Sequence, residues 1–382
     1  MNVIGPLQQR VTRLIFFVAG FGTSAWAPLV PYAKERLALS EHHLGLLLLC
    51  LGVGSLIAMP LTGVLSARFG CRPVILISST ILLLALPGLA LAASPWQLAV
   101  ILFIFGGAVG TLDVAMNIQA VMVEKAGGGS MMSGFHAHYS VGGFAGAGSM
   151  ALMLWLGMPT GWSCVLISAV VAAIVLYTQA HHLREPEAAE RDAPLFVLPH
   201  GAVIFIGCLC FIMFLAEGAM LDWSALFLTA GRGLAESQGG LGYAAFAVAM
   251  TVGRFSGDAV VRKLGGRRVL LLGGLAASAG FLLAVFTASP YAALLGFVLI
   301  GLGASNIVPI LFTAAGAQTA MPASLAVAAI TTLGYTGILA GPALIGFIAH
   351  ASSLNAAFVG LGCAVLLVAA SARIGGPARQ SA

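Results

Sequence analysis

The sequence predicts an all-α integral membrane protein of twelve transmembrane helices in two six-helix pseudo-repeat halves. Three observations predict it. Of 382 residues, 60% are hydrophobic and only 8% are charged, with a mean hydropathy of +1.05, whereas soluble chains carry about a quarter charged residues. Twelve apolar runs each approach or exceed the roughly 20 residues that cross a bilayer as a helix. The basic residues, finally, fall almost entirely in alternate loops, the bias that orients inserted helices.

The runs lie at approximately 12–33, 42–66, 73–93, 96–123, 134–157, 162–181, 200–228, 238–262, 269–288, 291–315, 324–350 and 354–373. Turn residues such as Ser94-Pro95, Pro159-Thr160-Gly161 and Ser289-Pro290 separate them. The first run follows Arg10 and Arg13 and contains Ala25-Trp26-Ala27, which loosely resembles a signal-peptidase site. Because the run continues to Tyr32, the chain is expected to keep it as a span. The 49 glycines are spread through these runs, as suits membrane helices that approach closely.

Orientation follows from the loops. With the N-terminus inside, the cytoplasmic side receives Arg10, Arg13, Arg68, Arg72, Lys125, Arg184, Arg191, Arg254, Arg262, Lys263, Arg267, Arg268, Arg373 and Arg379. The other side receives only Lys34, Arg36 and Arg232 of the 17 Lys and Arg. Both termini are therefore expected in the cytoplasm. The formal charge of +5 is strung along short loops, so no nucleic-acid partner is expected. Cys50, Cys71, Cys164, Cys208, Cys210 and Cys363 form no CxxC and read as small apolar residues rather than metal ligands.

The longest polar stretch, His181 to Pro199, contains Arg184, Glu185, Glu187, Glu190, Arg191 and Asp192 and falls between the sixth and seventh runs. It divides the chain into an N-terminal half at 1–181, a cytoplasmic linker at 182–199 and a C-terminal half at 200–382. Weak internal similarity supports the division. Gly63 to Arg72 after span two parallels Gly257 to Arg268 after span eight, and Gly110 and Asp113 in span four parallel Gly303 and Asn306 in span ten.

Four carboxylates, Asp113, Glu217, Asp222 and Asp258, stand inside apolar stretches. Each would cost roughly 2.5–3.5 kcal/mol at a bilayer centre on the most lenient scale, so each calls for a partner, a water-filled cavity or a proton path. Enzyme chemistry finds no support: there is no HExxH, no GxSxG, no P-loop and no Gly-x-Gly-Asp context. No cofactor is expected. A channel filter is equally absent from the pattern.

These features resemble the major facilitator superfamily along the whole chain. The family's marker is a Gly-x-x-x-Asp-Arg-x-Gly-Arg-Arg loop after span two. Gly63, Arg68, Gly70 and Arg72 match it, while Ala67 replaces the Asp and Cys71 a basic residue. In the second half Val261 takes the Asp position and Asp258 lies one turn earlier. Closer likeness is to the MosC-like and fucose-permease-like bacterial branch. It is carried by Met116-Asn117-Ile118-Gln119, Gly134-Phe135-His136-Ala137-His138-Tyr139-Ser140, Glu217-Gly218-Ala219-Met220-Leu221-Asp222-Trp223-Ser224 and Asn306-Ile307-Val308-Pro309.

The resemblance implies that spans one, four, seven and ten line a cavity reached from one side at a time. Trp26, Asp113, Asn117, Trp223 and Asn306 are then candidates for binding substrate. Glu217, with Asp113 and Asp222, is the candidate for proton coupling. Arg68, Arg72, His136, Arg254 and Asp258 are candidates for gating. Plainer roles stand beside these: interhelical hydrogen bonds for the polar groups, and interfacial anchoring for the tryptophans. Gly337-Ile338-Leu339-Ala340-Gly341-Pro342 looks like an antiporter signature but lies in span eleven rather than five, so helix packing suffices for it. The resulting expectation is a monomeric, proton-coupled secondary transporter of a sugar, polyol or similar small polar solute in a bacterial inner membrane. The alternative is a proton-driven exporter of a metabolite or drug-like compound.

Overall fold

The computed structural model describes residues 5–183 and 197–376, without the side chains of residues 41 and 42. Arg184, Glu185, Glu187, Glu190, Arg191 and Asp192 of the linker, and Arg379, lie outside the described residues. Among those described, all regular structure is helical. Span one is α1 (Pro6–Ser24), a 3-10 turn (Ala27–Leu29) and α2 (Val30–Arg36). Spans two to six are α3 (Glu41–Phe69), α4 (Cys71–Leu91), α5 (Pro95–Gly127), α6 (Met132–Trp155) and α7 (Thr160–Thr178). Spans seven to nine are α8 (Ala202–Arg232), α9 (Leu241–Leu264) and α10 (Gly266–Phe286). Span ten is α11 (Pro290–Ala304) with α12 (Ile307–Ala317), and α13 (Ala323–Ala351) and α14 (Leu354–Ala370) complete the twelve. Ten of these spans are long and apolar enough to cross a membrane by length and composition alone. The other two are α6, diluted by Gly, Ser and His, and α14, which has 17 residues.

Local chemistry sets the boundaries. Ser94, Ser289 and Ser353 accept backbone N–H groups at the starts of α5, α11 and α14, satisfying donors that a helix start leaves unpaired. Two spans are interrupted, which the apolar pattern does not reveal. Span one breaks between Ala25 and Leu29, where Pro28 lacks an N–H to donate. Span ten breaks at Ser305 and Asn306, whose side chains bond to Leu302 O at 2.7 Å and Gly253 O at 3.2 Å. Such side-chain bonds compete with the helical ladder.

The chain divides into two compact units. The first comprises Met1–Gly128, His138–Leu198 and Met321–Ala329; the second comprises Gly129–Ala137, Pro199–Ala320 and Ile330–Ala382. The start of α6 thus belongs with the second unit and the start of α13 with the first. Within the first, a Cβ on Gly106 would meet the Leu51 backbone, and one on Gly54 the Phe103 carbonyl, so α3 and α5 touch main chain to main chain. Within the second, Gly280 and Gly296 do the same for α10 and α11. Membrane helices gain van der Waals contact this way where no hydrophobic force drives them together. Phe227 and Phe358 stack at 4.5 Å inside the second unit, with Phe281 edge-on to Phe358.

One detail is repeated in both units. At the end of span one, Arg36 Nε donates to Ala92 O at 3.1 Å and its Nη2 to Leu89 O at 2.9 Å. At the end of span seven, Arg232 Nε and Nη2 donate to Ala284 O at 3.2 and 2.9 Å, and Nη2 to Val285 O at 2.7 Å. Each guanidinium covers the last carbonyls of a helix two spans on, α4 and α10. Those carbonyls have no partner within their own helix and carry the negative end of its dipole. Arg36 and Arg232 are two of the three basic residues that the loop pattern sets apart from the other fourteen.

Candidate functional site

In the first unit Asp113 and Asn117 stand one turn apart on α5, where i and i+4 share a face. Asn117 Nδ2 donates to the Asp113 carbonyl at 2.9 Å, while its Oδ1 is buried and has no hydrogen-bond partner. Asp113 is half-buried, and its carboxylate makes no hydrogen bond or ion pair among the described residues. An acceptor-only pair of groups is thus left unspent midway along a membrane helix. Trp26 is buried, 5% exposed, at the break in span one.

In the second unit Glu217 stands at the middle of α8, fifteen residues from each of Ala202 and Arg232. The apolar run 200–228 alone would set it somewhat beyond the middle, because that run takes in His200 and Gly201 and stops before Thr229. Its carboxylate lies 3.9 Å from Nη2 of Arg254, with the Glu217 side chain 30% exposed and Arg254 9%. A buried guanidinium in a membrane helix needs such a counter-charge, since desolvating it alone is prohibitive. Asp222 is exposed and Trp223 half-buried. The Trp223 indole Nε1–H is buried without a partner, and the ring edge rests over Gly346, where a Cβ would come within 3.4 Å.

Asn306 lies at the break in span ten. It is 7% exposed, its Nδ2 donates to Gly253 O and to Ser305 Oγ, and its Oδ1 lies against Gly257 of α9. Its amide hydrogens thus tie span ten to α9 and to its own neighbour, while Oδ1 is buried with no hydrogen-bond partner among the described residues.

The gating candidates separate. Asp258 Oδ2 accepts the Gly134 N–H at 3.0 Å. It thereby supplies a carboxylate to the first turn of α6, which lacks one of its own and whose dipole favours an anion there. Arg262 Nη1 donates to Ser130 O at 3.0 Å in the preceding loop. The His136 ring sits 5.7 Å from Phe312 and feels the charge of Arg254. In the first unit Gly63 meets Ala328 and Ser324 at the start of α13, and Ala67 offers that helix no carboxylate. Arg68 is exposed over its neighbour Phe69 at 5.7 Å. Arg72 is turned elsewhere, its Nε donating to Gln179 O at 2.7 Å and its backbone N–H to Leu183 O at 2.8 Å.

Around Arg72 runs a buried polar chain that spacing did not reveal. Gln119 Nε2 donates to Thr12 Oγ1 at 3.1 Å, and Gln119 Oε1 accepts from Leu183 N–H and His182 Nδ1, both at 3.2 Å. An amide oxygen cannot donate, so Nδ1 carries the ring hydrogen and Nε2 faces Thr178 Oγ1 at 3.2 Å. Burial, then Arg72 and His181, hold His182 down to about 4 from an ordinary 6.5. The folded protein therefore refuses a proton that the unfolded chain accepts as pH falls below 6.5. The stability this gives is complete above pH 6.5 and is lost progressively between there and about 4, by at most about 3 kcal/mol. Thermal melting in detergent should fall across that window, and His182→Asn should lower the neutral-pH Tm while flattening the pH dependence.

Comparison with known proteins follows the same lines. The family profile described as Major Facilitator Superfamily matches residues 14–320. An uncharacterised MFS-type transporter of Yersinia pestis is 57% identical over 369 residues, covering 97% of this chain and 96% of that one. The membrane protein MosC of Rhizobium meliloti is 32% identical over 355 residues, covering 93% and 85%. Among solved structures, the fucose:proton symporter of E. coli superposes with a TM-score of 0.80 at 17% identity, covering 96% of this chain and 98% of that one.

Proposed function

Since the chain belongs to the major facilitator superfamily and is a multi-pass membrane transporter of that fold, we propose that it moves a small polar solute, a sugar, polyol or similar metabolite, by proton-coupled alternating access. One observation carries the reading: Glu217 sits at the middle of a membrane helix, 3.9 Å from buried Arg254, with its side chain still 30% exposed. A carboxylate in that position exchanges its partner between a proton and a guanidinium as its surroundings wet and dry. Protonation releases it from Arg254, whose guanidinium must then be met by water or by the solute, so binding of the two is linked to the proton.

The unspent groups favour a hydroxyl-bearing solute. In the first unit Asp113 and Asn117 Oδ1 offer acceptors, with Trp26 as an apolar wall; in the second Trp223 Nε1 offers a donor. A hydroxyl satisfies either kind. The repeats are residues 1–181 and 200–382, joined by the linker 182–199. With Arg254 set inside α9, the remaining basic residues divide 13 to 3, which supports cytoplasmic termini, and the relatives' bacterial sources point to the inner membrane. Asp258 and Arg262, holding the start of α6, act in gating with Arg254 and His136 in this scheme.

Proteoliposomes preloaded with L-fucose, D-xylose, D-glucose or myo-inositol test it by counterflow of the labelled solute. At least one should exchange saturably, and an inward proton gradient should concentrate it. Exchange of none of them, with export of hydrophobic cations instead, would overturn the polar-solute reading.

A further inference from the structure

We infer that Tyr243, near the start of α9, is a solute-binding residue whose phenol donates to a hydroxyl or ring oxygen of the transported molecule. The inference rests on the polar-solute reading and deepens it.

Helical geometry aligns Tyr243 with the ionic pair. Tyr243 and Arg254 are eleven residues apart on α9, and at 3.6 residues per turn that separation returns to nearly the same face after about three turns. The phenol lies in the electrostatic reach of three charged side chains, Glu217, Arg254 and Asp222. Its ring packs 6.1 Å from Phe246, one turn on. Yet Tyr243 is only half-buried, and its hydroxyl makes no hydrogen bond among the described residues. A buried tyrosine ordinarily finds a partner for its O–H. Here the ring presents an unused donor on the face of α9 that carries Arg254, within the electrostatic reach of Glu217.

The same unit holds a second unspent donor, the buried Trp223 Nε1–H. Donors of this kind call for a solute that offers acceptors, which a polyhydroxylated ring does and an aliphatic ammonium does not. Specificity of this kind is strong, because a ligand lacking the acceptor leaves the protein's donors unpaired. Trp223 stands within the motif pattern of the sequence, whereas Tyr243 does not.

The test is Tyr243→Phe in purified protein, assayed by counterflow with the same four sugars and by proton-driven accumulation. The hydroxyl has no protein partner to lose, so the variant should melt with wild type. Its KM for the exchanged sugar should rise about threefold to tenfold, while the pH profile of exchange stays in place. An unchanged KM overturns the inference and leaves the proposed function standing. A lowered Tm overturns it in favour of a structural role, and a shifted pH profile overturns it by putting the phenol in the proton path. Saturable exchange of none of the four sugars by wild type overturns the inference together with the polar-solute reading beneath it.

Discussion

Glu217→Gln is expected to abolish uphill accumulation while leaving exchange at equal concentrations partly intact. A potential of 100 mV supplies about 2.3 kcal/mol per charge, or roughly 50-fold accumulation for a one-proton symporter. The amide keeps the size of Glu217 and can still meet Arg254 through its carbonyl oxygen, but it cannot take up or release a proton. Exchange requires only that the loaded carrier reorient, so it should survive at a reduced rate. Measured in one preparation of proteoliposomes, the two assays separate loss of coupling from loss of folding. Normal accumulation by the variant would remove Glu217 from the proton path and make Asp113 the next residue to test.

Asp113 carries the second large effect. Its carboxylate is half-buried and unpartnered, so Asp113→Ala removes whatever it holds in the solute or the coupling ion. Charged hydrogen bonds contribute about 1.5–3 kcal/mol, so kcat/KM should fall about 10- to 150-fold. Asp113→Asn retains an acceptor oxygen at the same place and should cost less than tenfold for a neutral sugar. Equal losses in the two variants would mean that charge is what matters, pointing to a cationic solute or to protonation of Asp113 itself. No effect in either would return Asp113 to helix packing.

The bundle was legible in the sequence because its determinants are local or additive. Twelve apolar runs and the bias of basic residues need no knowledge of which helices touch, and they recover the twelve spans to within a few residues at most boundaries. Where the chain leaves regular helix, the signal is weaker. Pro28 hints at the break in span one, but the break at Ser305 and Asn306 depends on Gly253, fifty residues away. That same contact turns Asn306 toward α9, although the internal repeat aligns it with Asp113. Similarity of position does not fix where a side chain spends its hydrogen bonds.

Charge roles show the same limit. Asp258, one turn before the motif position held by Val261, meets a helix start at Gly134, whose lack of a Cβ leaves room for the carboxylate. Arg72 matches its motif position but bonds to Gln179, and Tyr243 carried no signal at all. Spacing can say that an arginine or tyrosine lies on a helix; which neighbour answers it is settled only by packing.

The paired clasps of Arg36 and Arg232 bear on how the chain reads its own topology during insertion. Guanidinium groups destined for the outer face ordinarily retard translocation of a short loop. Once folded, each of these two keeps its charge and is hydrogen-bonded by carbonyl oxygens rather than paired with an acidic residue. Moving either arginine to the cytoplasmic end of its span would strengthen the orientation signal and strip a helix terminus at once. A duplicated ancestor with this residue already in place would hand both copies the same compromise. The spacing supports such an origin: the donors lie 53 and 56 residues from their acceptors in one unit, and 52 and 53 in the other. Both units thus close the end of their third span with an arginine from the end of their first.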